Sequence, residues 1–189
     1  MAESSSTRTR VLAVVVGVLA VVSVALAAFL VWPALNPANS GNTGGVSSET
    51  TWPRFVTESE LRSFGASSEP VYWAGPQGGV QYELTITNTG TFYIRYLPEG
   101  AALGDPGKDF LTVATYPNVD GYDNLVQAGA RDGATATLTQ GGALIVTTAE
   151  APKSTYFSFE GAGFQVEVFS PDEGKSLSLV EDGTVEILQ

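Results

Sequence analysis

The chain has 189 residues, neither Cys nor His, and 20 acidic against 9 basic side chains, for a formal charge of −11. Without His it lacks the side chain that most often moves protons or ligates metals near neutral pH, and without Cys it has neither thiolate chemistry nor disulfides. So acidic a chain opposes phosphate contacts, which depend on Lys and Arg to release counterions, and nucleic acid is excluded as a partner.

Val11 to Trp32 reads VLAVVVGVLAVVSVALAAFLVW, without a charge and with Ser23 alone polar. At a rise of about 1.5 Å per residue it extends roughly 33 Å, enough for a hydrocarbon core about 30 Å thick. Arg8 and Arg10 precede it and no Lys or Arg follows until Arg54. That bias predicts a cytoplasmic tail at 1–10, a single-pass transmembrane helix at Val11–Trp32, and an extracytoplasmic remainder. A cleaved signal peptide shares the basic start, but its apolar stretch is about 7 to 15 residues and ends at small residues. Here ALAA at 25–28 is followed by FLVW, and the length favours an anchor. Residues 33–53 follow as a linker. Its run PALNPANSGNTGGVSSETT holds almost no large apolar side chain after Leu35 and cannot offset its own ordering entropy. As a flexible coil it reaches about 24 Å.

Residues 54–189 are long enough to bury one core. In VQYELTITNTGTFYIRYL, Val80, Tyr82, Leu84 and Ile86 alternate with polar residues, and Phe92, Ile94 and Tyr96 alternate on the return. A period of two means one buried and one wet face. Facing residues must share a side, so a three-residue loop, Asn88-Thr89-Gly90, is predicted, pairing Ile86 with Phe92, Leu84 with Ile94 and Tyr82 with Tyr96. It places Glu83 opposite Arg95 and Thr85 opposite Tyr93 on the wet face. The same parity predicts a second hairpin with the four-residue loop Glu160-Gly161-Ala162-Gly163 between Phe159 and Phe164. TATLTQGGALIVTTA is a third candidate, turning at QGG, and FLTVATYP a strand stopped by Pro117.

Thr57 and Glu60 form a capping box ahead of ELRSFG, Asp120 is placed to cap GYDNLVQAGAR, and PDEGKSLSLVED is a short helix before a last strand, TVEIL. The expected fold is α+β: one small antiparallel-sheet domain with two or three helices on one face.

Motifs are few. NVDGYDN has the acidity of a calcium loop, but with Gly121 at the sixth position Tyr116 and Gln127 stand where carboxylates are required. GDPGKDF holds a Gly-Lys, yet Ala102 and Asp109 replace the glycine and the Ser or Thr of a phosphate loop. Neither Lys153 nor Lys175 has a Ser three residues before it, as Ser-Lys hydrolases need. No metal, cofactor or catalytic residue is assigned. Tyr72 and Trp73 in VYWAGP are candidates for stacking on a sugar or peptide, although alternation makes either Tyr72 or both Val71 and Trp73 core-facing. Tyr93 and Arg95, on the wet face of the first hairpin, are the other candidate ligand-binding residues. Glu83 and Glu167 are expected on solvent-facing strand positions.

Read end to end, ELRSFGASSEPVYWAGPQGGVQYELT, FYIRYLPEG, GDPGKDFLTVATYP and FQVEVFSP resemble a group of uncharacterised, membrane-anchored extracytoplasmic proteins of actinobacteria. The resemblance covers most of residues 60 to 170 and implies a bacterial cell envelope, with no site residue to carry over. The lack of His, Cys and any catalytic motif points away from an enzyme and toward a non-catalytic binding or organising module with an envelope polymer or membrane protein as partner. The alternatives are a subunit of a membrane complex, with the span as the contact, and an envelope hydrolase working through carboxylates.

Overall fold

Alternation dictates strands, and the strands dictate the sheet. The computed structural model describes residues 52–66 and 70–189; the expected tail, the span Val11–Trp32 and nearly all of the linker lie outside the described residues. In chain order the elements are β1 (Arg54–Val56), α1 (Glu58–Gly65), β2 (Tyr72–Trp73), β3 (Val80–Ile86), β4 (Phe92–Pro98) and β5 (Leu111–Pro117). There follow α2 (Gly121–Gly129), β6 (Ala134–Leu138), β7 (Ala143–Thr148), β8 (Ser154–Phe159), β9 (Phe164–Phe169), α3 (Lys175–Glu181) and β10 (Glu186–Ile187). An antiparallel sheet with three helices makes this an α+β domain.

The predicted registers hold. Ile86 faces Phe92, Leu84 faces Ile94 and Tyr82 faces Tyr96. Thr87 and Thr91 close the loop, Thr87 N–H donating to Thr91 O and Gly90 N–H to Thr87 O, each at 3.0 Å, with Gly90 left-handed at φ 81°. Only a residue without Cβ takes that conformation without strain. Phe157 faces Val166, which leaves Glu160 to Gly163 as the second loop, and Leu138 faces Leu144 around the QGG turn.

Eight strands form one sheet in the order β1-β3-β4-β5-β9-β8-β7-β6, and β10 and β2 form a second of two strands. Two meanders, β3 to β5 and β6 to β9, thus meet where β5 pairs with β9. Leu84, Ile94, Val113 and Val168 run in one row across the large sheet, each 0 % exposed. Burial of each such side chain stabilises the fold by about 1.5–3 kcal/mol. This face packs against α1, α3 and the β2–β10 pair through Leu61, Trp73, Leu179 and Leu188. The β2 backbone is tied down by the sheet's own side chains: Tyr72 N–H donates to Thr115 Oγ1 at 3.0 Å and Ala74 N–H to the Tyr96 hydroxyl at 2.7 Å.

The helices are not all on one face, as the pattern had implied. α2 packs Leu125 and Ala128 against Leu144, Val146 and Tyr156, which point opposite to Ile145 and Phe157. Helix starts differ from expectation too. The capping box at α1 is present, with Thr57 N–H donating to Glu60 Oε2 at 2.7 Å and Glu60 N–H to Thr57 Oγ1 at 3.3 Å. Asp120 stands at the N-cap of α2 but its side chain makes no capping bond. Asn118 turns the chain there instead, its Oδ1 accepting from Asp120 N–H and its carbonyl from Gly121 N–H. The C-terminal helix begins only at Lys175, after Gly174, and the strand beyond it keeps two residues.

Candidate functional site

The four residues singled out from the sequence fall on opposite sides of the large sheet. Tyr72 and Trp73 lie in the layer over the apolar face. The Tyr72 ring meets Phe157 edge-on at 5.1 Å. Trp73 is 0 % exposed, wedged between Tyr82 and the Arg62 guanidinium, which sits 4.8 Å above its ring. Both rings are spent on packing because β2 lies between two layers, so neither side of the strand is outward. Tyr93 and Arg95 project from β4 to the other face.

That second face is not wet. Glu83 is 1 % exposed and its Oε1 accepts from Arg95 at 2.6 Å, so the pair expected at the surface is buried. The segment between β4 and β5 folds over it. Arg95 donates to the carbonyls of Asp105 and Gly107 at 2.8 and 2.9 Å and stacks 5.0 Å from the Phe110 ring centre, while Gly104 N–H donates to Glu83 Oε2. Alternation reports which residues share a side, but a loop covering that side leaves no trace in it. Arg95 is therefore a clamp on the 99–110 segment.

One row further along, Thr85, Tyr93, Ala114, Glu167, Tyr156 and Val146 face one another in sequence across the sheet. Glu167, expected in solvent, is 9 % exposed. Three hydroxyls donate to it: Tyr116 at 2.8 Å on Oε2, Ser154 at 2.9 Å and Tyr156 at 3.1 Å on Oε1. Ala114 between Tyr93 and Glu167 is small enough to leave room for Tyr116, two positions along β5, to reach the carboxylate. Tyr116 meets Tyr93 edge-to-face at 5.8 Å, and α2 closes the far side over Tyr156. Burial pushes the Tyr116 and Tyr156 hydroxyls well above the ordinary range, and the nearby Glu167 charge pushes them the same way. Burial also raises Tyr93.

A phenol held neutral donates hydrogen bonds and abstracts no proton at neutral pH. Glu83 and Glu167 stand three strands apart, about 14 Å, too far for a hydrolytic pair at about 5 to 9.5 Å. Among the described residues no group of His, Cys, Asp or Glu is arranged to hold a metal ion. The lane running from half-buried Tyr93 through Tyr116 to Glu167 is the candidate site, and its carboxylate is already held by Tyr116, Ser154 and Tyr156. Sequence reading reached Tyr93 but missed Tyr116, Ser154, Tyr156 and Glu167. The Phe157–Val166 register already sets Tyr156 opposite Glu167, which was the available signal. The Tyr116 contact needs the β5–β9 pairing, which no local pattern carries.

Comparison with protein-family models, with curated proteins and with solved structures gave no match. Among the described residues no helix is long and apolar enough to cross a membrane.

Proposed function

We propose that the chain is a single-pass membrane protein whose extracytoplasmic domain is a non-catalytic binding or organising module of a bacterial cell envelope. The observation that carries this reading is the internal use of the sheet's ionisable groups: Glu83 and Arg95 pair with each other and with backbone groups of the 99–110 segment, and Glu167 accepts from three hydroxyls of the same domain. Such groups make a stiff scaffold and present no paired acid and base to a substrate. The span Val11–Trp32 supplies the anchor, and the Arg8 and Arg10 bias the orientation.

The test is capture from envelope extracts by the full chain in detergent, beside a chain whose Val11–Trp32 is replaced by an unrelated apolar helix. Retention of the same partner by both supports a module that binds through its outer domain. Loss in the exchanged chain moves the contact to the span and makes the protein a subunit of a membrane complex. Turnover of wall polymer or peptide by the purified chain overturns the reading.

A further inference from the structure

The large sheet has two edges, and they are not protected alike. β1 is three residues long and carries Arg54. β6 is Ala-Thr-Ala-Thr-Leu, with no Pro and no charge, and Thr135, Ala136, Thr137 and Leu138 are all exposed. Soluble sheets ordinarily blunt an edge with charge, Pro, a bulge or shortness, because its unpaired N–H and C=O groups are a template for another strand. Among the described residues no strand pairs with the outer edge of β6. Thr139 N–H donates to Ala143 O at 2.9 Å and Ala149 N–H to Gly133 O at 2.8 Å, which fixes the alternation along β6. The backbone groups of Thr135 and Thr137 turn inward to β7, and those of Ala136 and Leu138 turn outward.

Charge decides what can approach. From Gly133 to Ala149 there is no Asp, Glu, Lys or Arg, the longest such run in the folded domain of a chain whose net charge is −11. Two copies repel over most of their surface and can meet here without opposing like charges. Two apolar side chains are exposed beside this edge. Leu138 is 63 % exposed and Val126 49 %. Val126 lies on the side of α2 shared with Gly129, whose α-carbon comes close against Ala136.

We propose that β6 pairs with β6 of a second copy of this chain, antiparallel about a two-fold axis at Ala136, joining the two sheets edge to edge. In this register the two Ala136 residues exchange both backbone hydrogen bonds, and Ala134 O accepts from Leu138 N–H of the second copy. Thr135 faces Thr137 of the second copy, a favourable cross-strand pair, and Asp132 faces the uncharged Gln140. The arrangement is self-complementary, as a two-fold interface requires. It brings Leu138 of both copies to one side of the joined sheet. The inference is independent of the membrane reading.

The test uses the full chain in detergent. Light scattering, corrected for detergent, is expected to give twice the 19.8 kDa chain mass. T135K/T137K, which sets like charges opposite one another across the axis, is expected to halve that mass with an unchanged far-UV spectrum, because both side chains are exposed. Mixing it with T135E/T137E restores the double mass. The chain has no Cys, so introduced thiols report the register. T135C mixed with T137C forms a disulfide dimer on oxidation, since directly opposed, non-hydrogen-bonded positions lie about 4.5 Å apart, whereas T135C alone does not. A wild-type chain of single mass, as a strand from a different protein at this edge would leave it, overturns the proposal. So does a dimer that survives T135K/T137K, or a mixture that forms no disulfide.

Discussion

Arg95 shows how much one side chain can hold when it is buried with its partner. Arg95→Ala leaves the Glu83 carboxylate in the interior with only Gly104 N–H beside it and releases the carbonyls of Asp105 and Gly107. Breaking a buried pair from one side costs about 3–5 kcal/mol. We expect a loss of that order in the unfolding free energy measured by urea titration, new protease cuts between residues 99 and 110, and a smaller loss in the E83A/R95A double variant than the two single losses added together. The buried tyrosines give a pH prediction. Tyr96, Tyr116 and Tyr156 all have folded-state pKa values raised above the ordinary 10.0, with burial the first cause in each. The unfolded chain therefore loses these protons first, so their contribution is intact below pH about 10 and is lost as pH rises beyond it. Absorbance at 295 nm should show these phenols ionising together with loss of far-UV signal; ionisation of the whole set in a still folded protein would refute the burial argument. Glu83 and Arg95 were legible as facing residues on one side of the first hairpin, and Glu167 as opposite the apolar side of the second; that these form one side of one sheet follows only from the β5–β9 pairing. That the side is closed was not legible, because strand alternation does not record whether the following loop or helix folds back over it.

At the scale of elements, turns and caps were the best-read features, since each is decided within a few residues. Hairpin loop lengths followed from parity alone, and Thr57 with Glu60 announced the start of α1. Asp120 was read correctly as the N-cap of α2, but its side chain makes no capping bond, because Asn118 offers the same side-chain chemistry two residues earlier and holds the turn there. The packing of α1 on the C-terminal strand was invisible in the sequence. A Cβ at Gly65 would stand 2.2 Å from the Leu188 carbonyl oxygen, a distance no side chain tolerates. Leu188 N–H in turn donates to Val71 O at 2.7 Å, and Arg62 donates to the Gln189 carbonyl at 2.9 Å. Gly65→Ala must therefore push α1 from the β2–β10 pair, although alanine is the better helix former by about 1 kcal/mol. The expected result is a lower thermal midpoint and faster amide exchange at Val71 and Leu188. A rise in midpoint would mean that propensity outweighs the contact.

Over the whole molecule the fold class was readable and the order of strands was not, because pairing of β5 with β9 joins segments with α2 and three strands between them. Net charge gives a prediction at this scale. The acidic surface repels itself, whereas the exposed pair among the described residues, Glu58 with Arg62, contributes only about 0.3–0.5 kcal/mol. Raising salt from about 0.01 M to about 0.15 M shortens the screening length from about 30 to about 8 Å and should raise the urea midpoint. A fall would mean that attractive pairs outweigh the excess of acid. The seam between β5 and β9 also sets a hazard during biosynthesis. A nascent chain emerging N-terminus first completes β3, β4 and β5 well before β9 exists, so Leu111–Pro117 waits with one apolar side and one row of amide groups unsatisfied. Until the last meander arrives, that stretch is where newly made copies would stick to each other, and where a holding chaperone would be needed most.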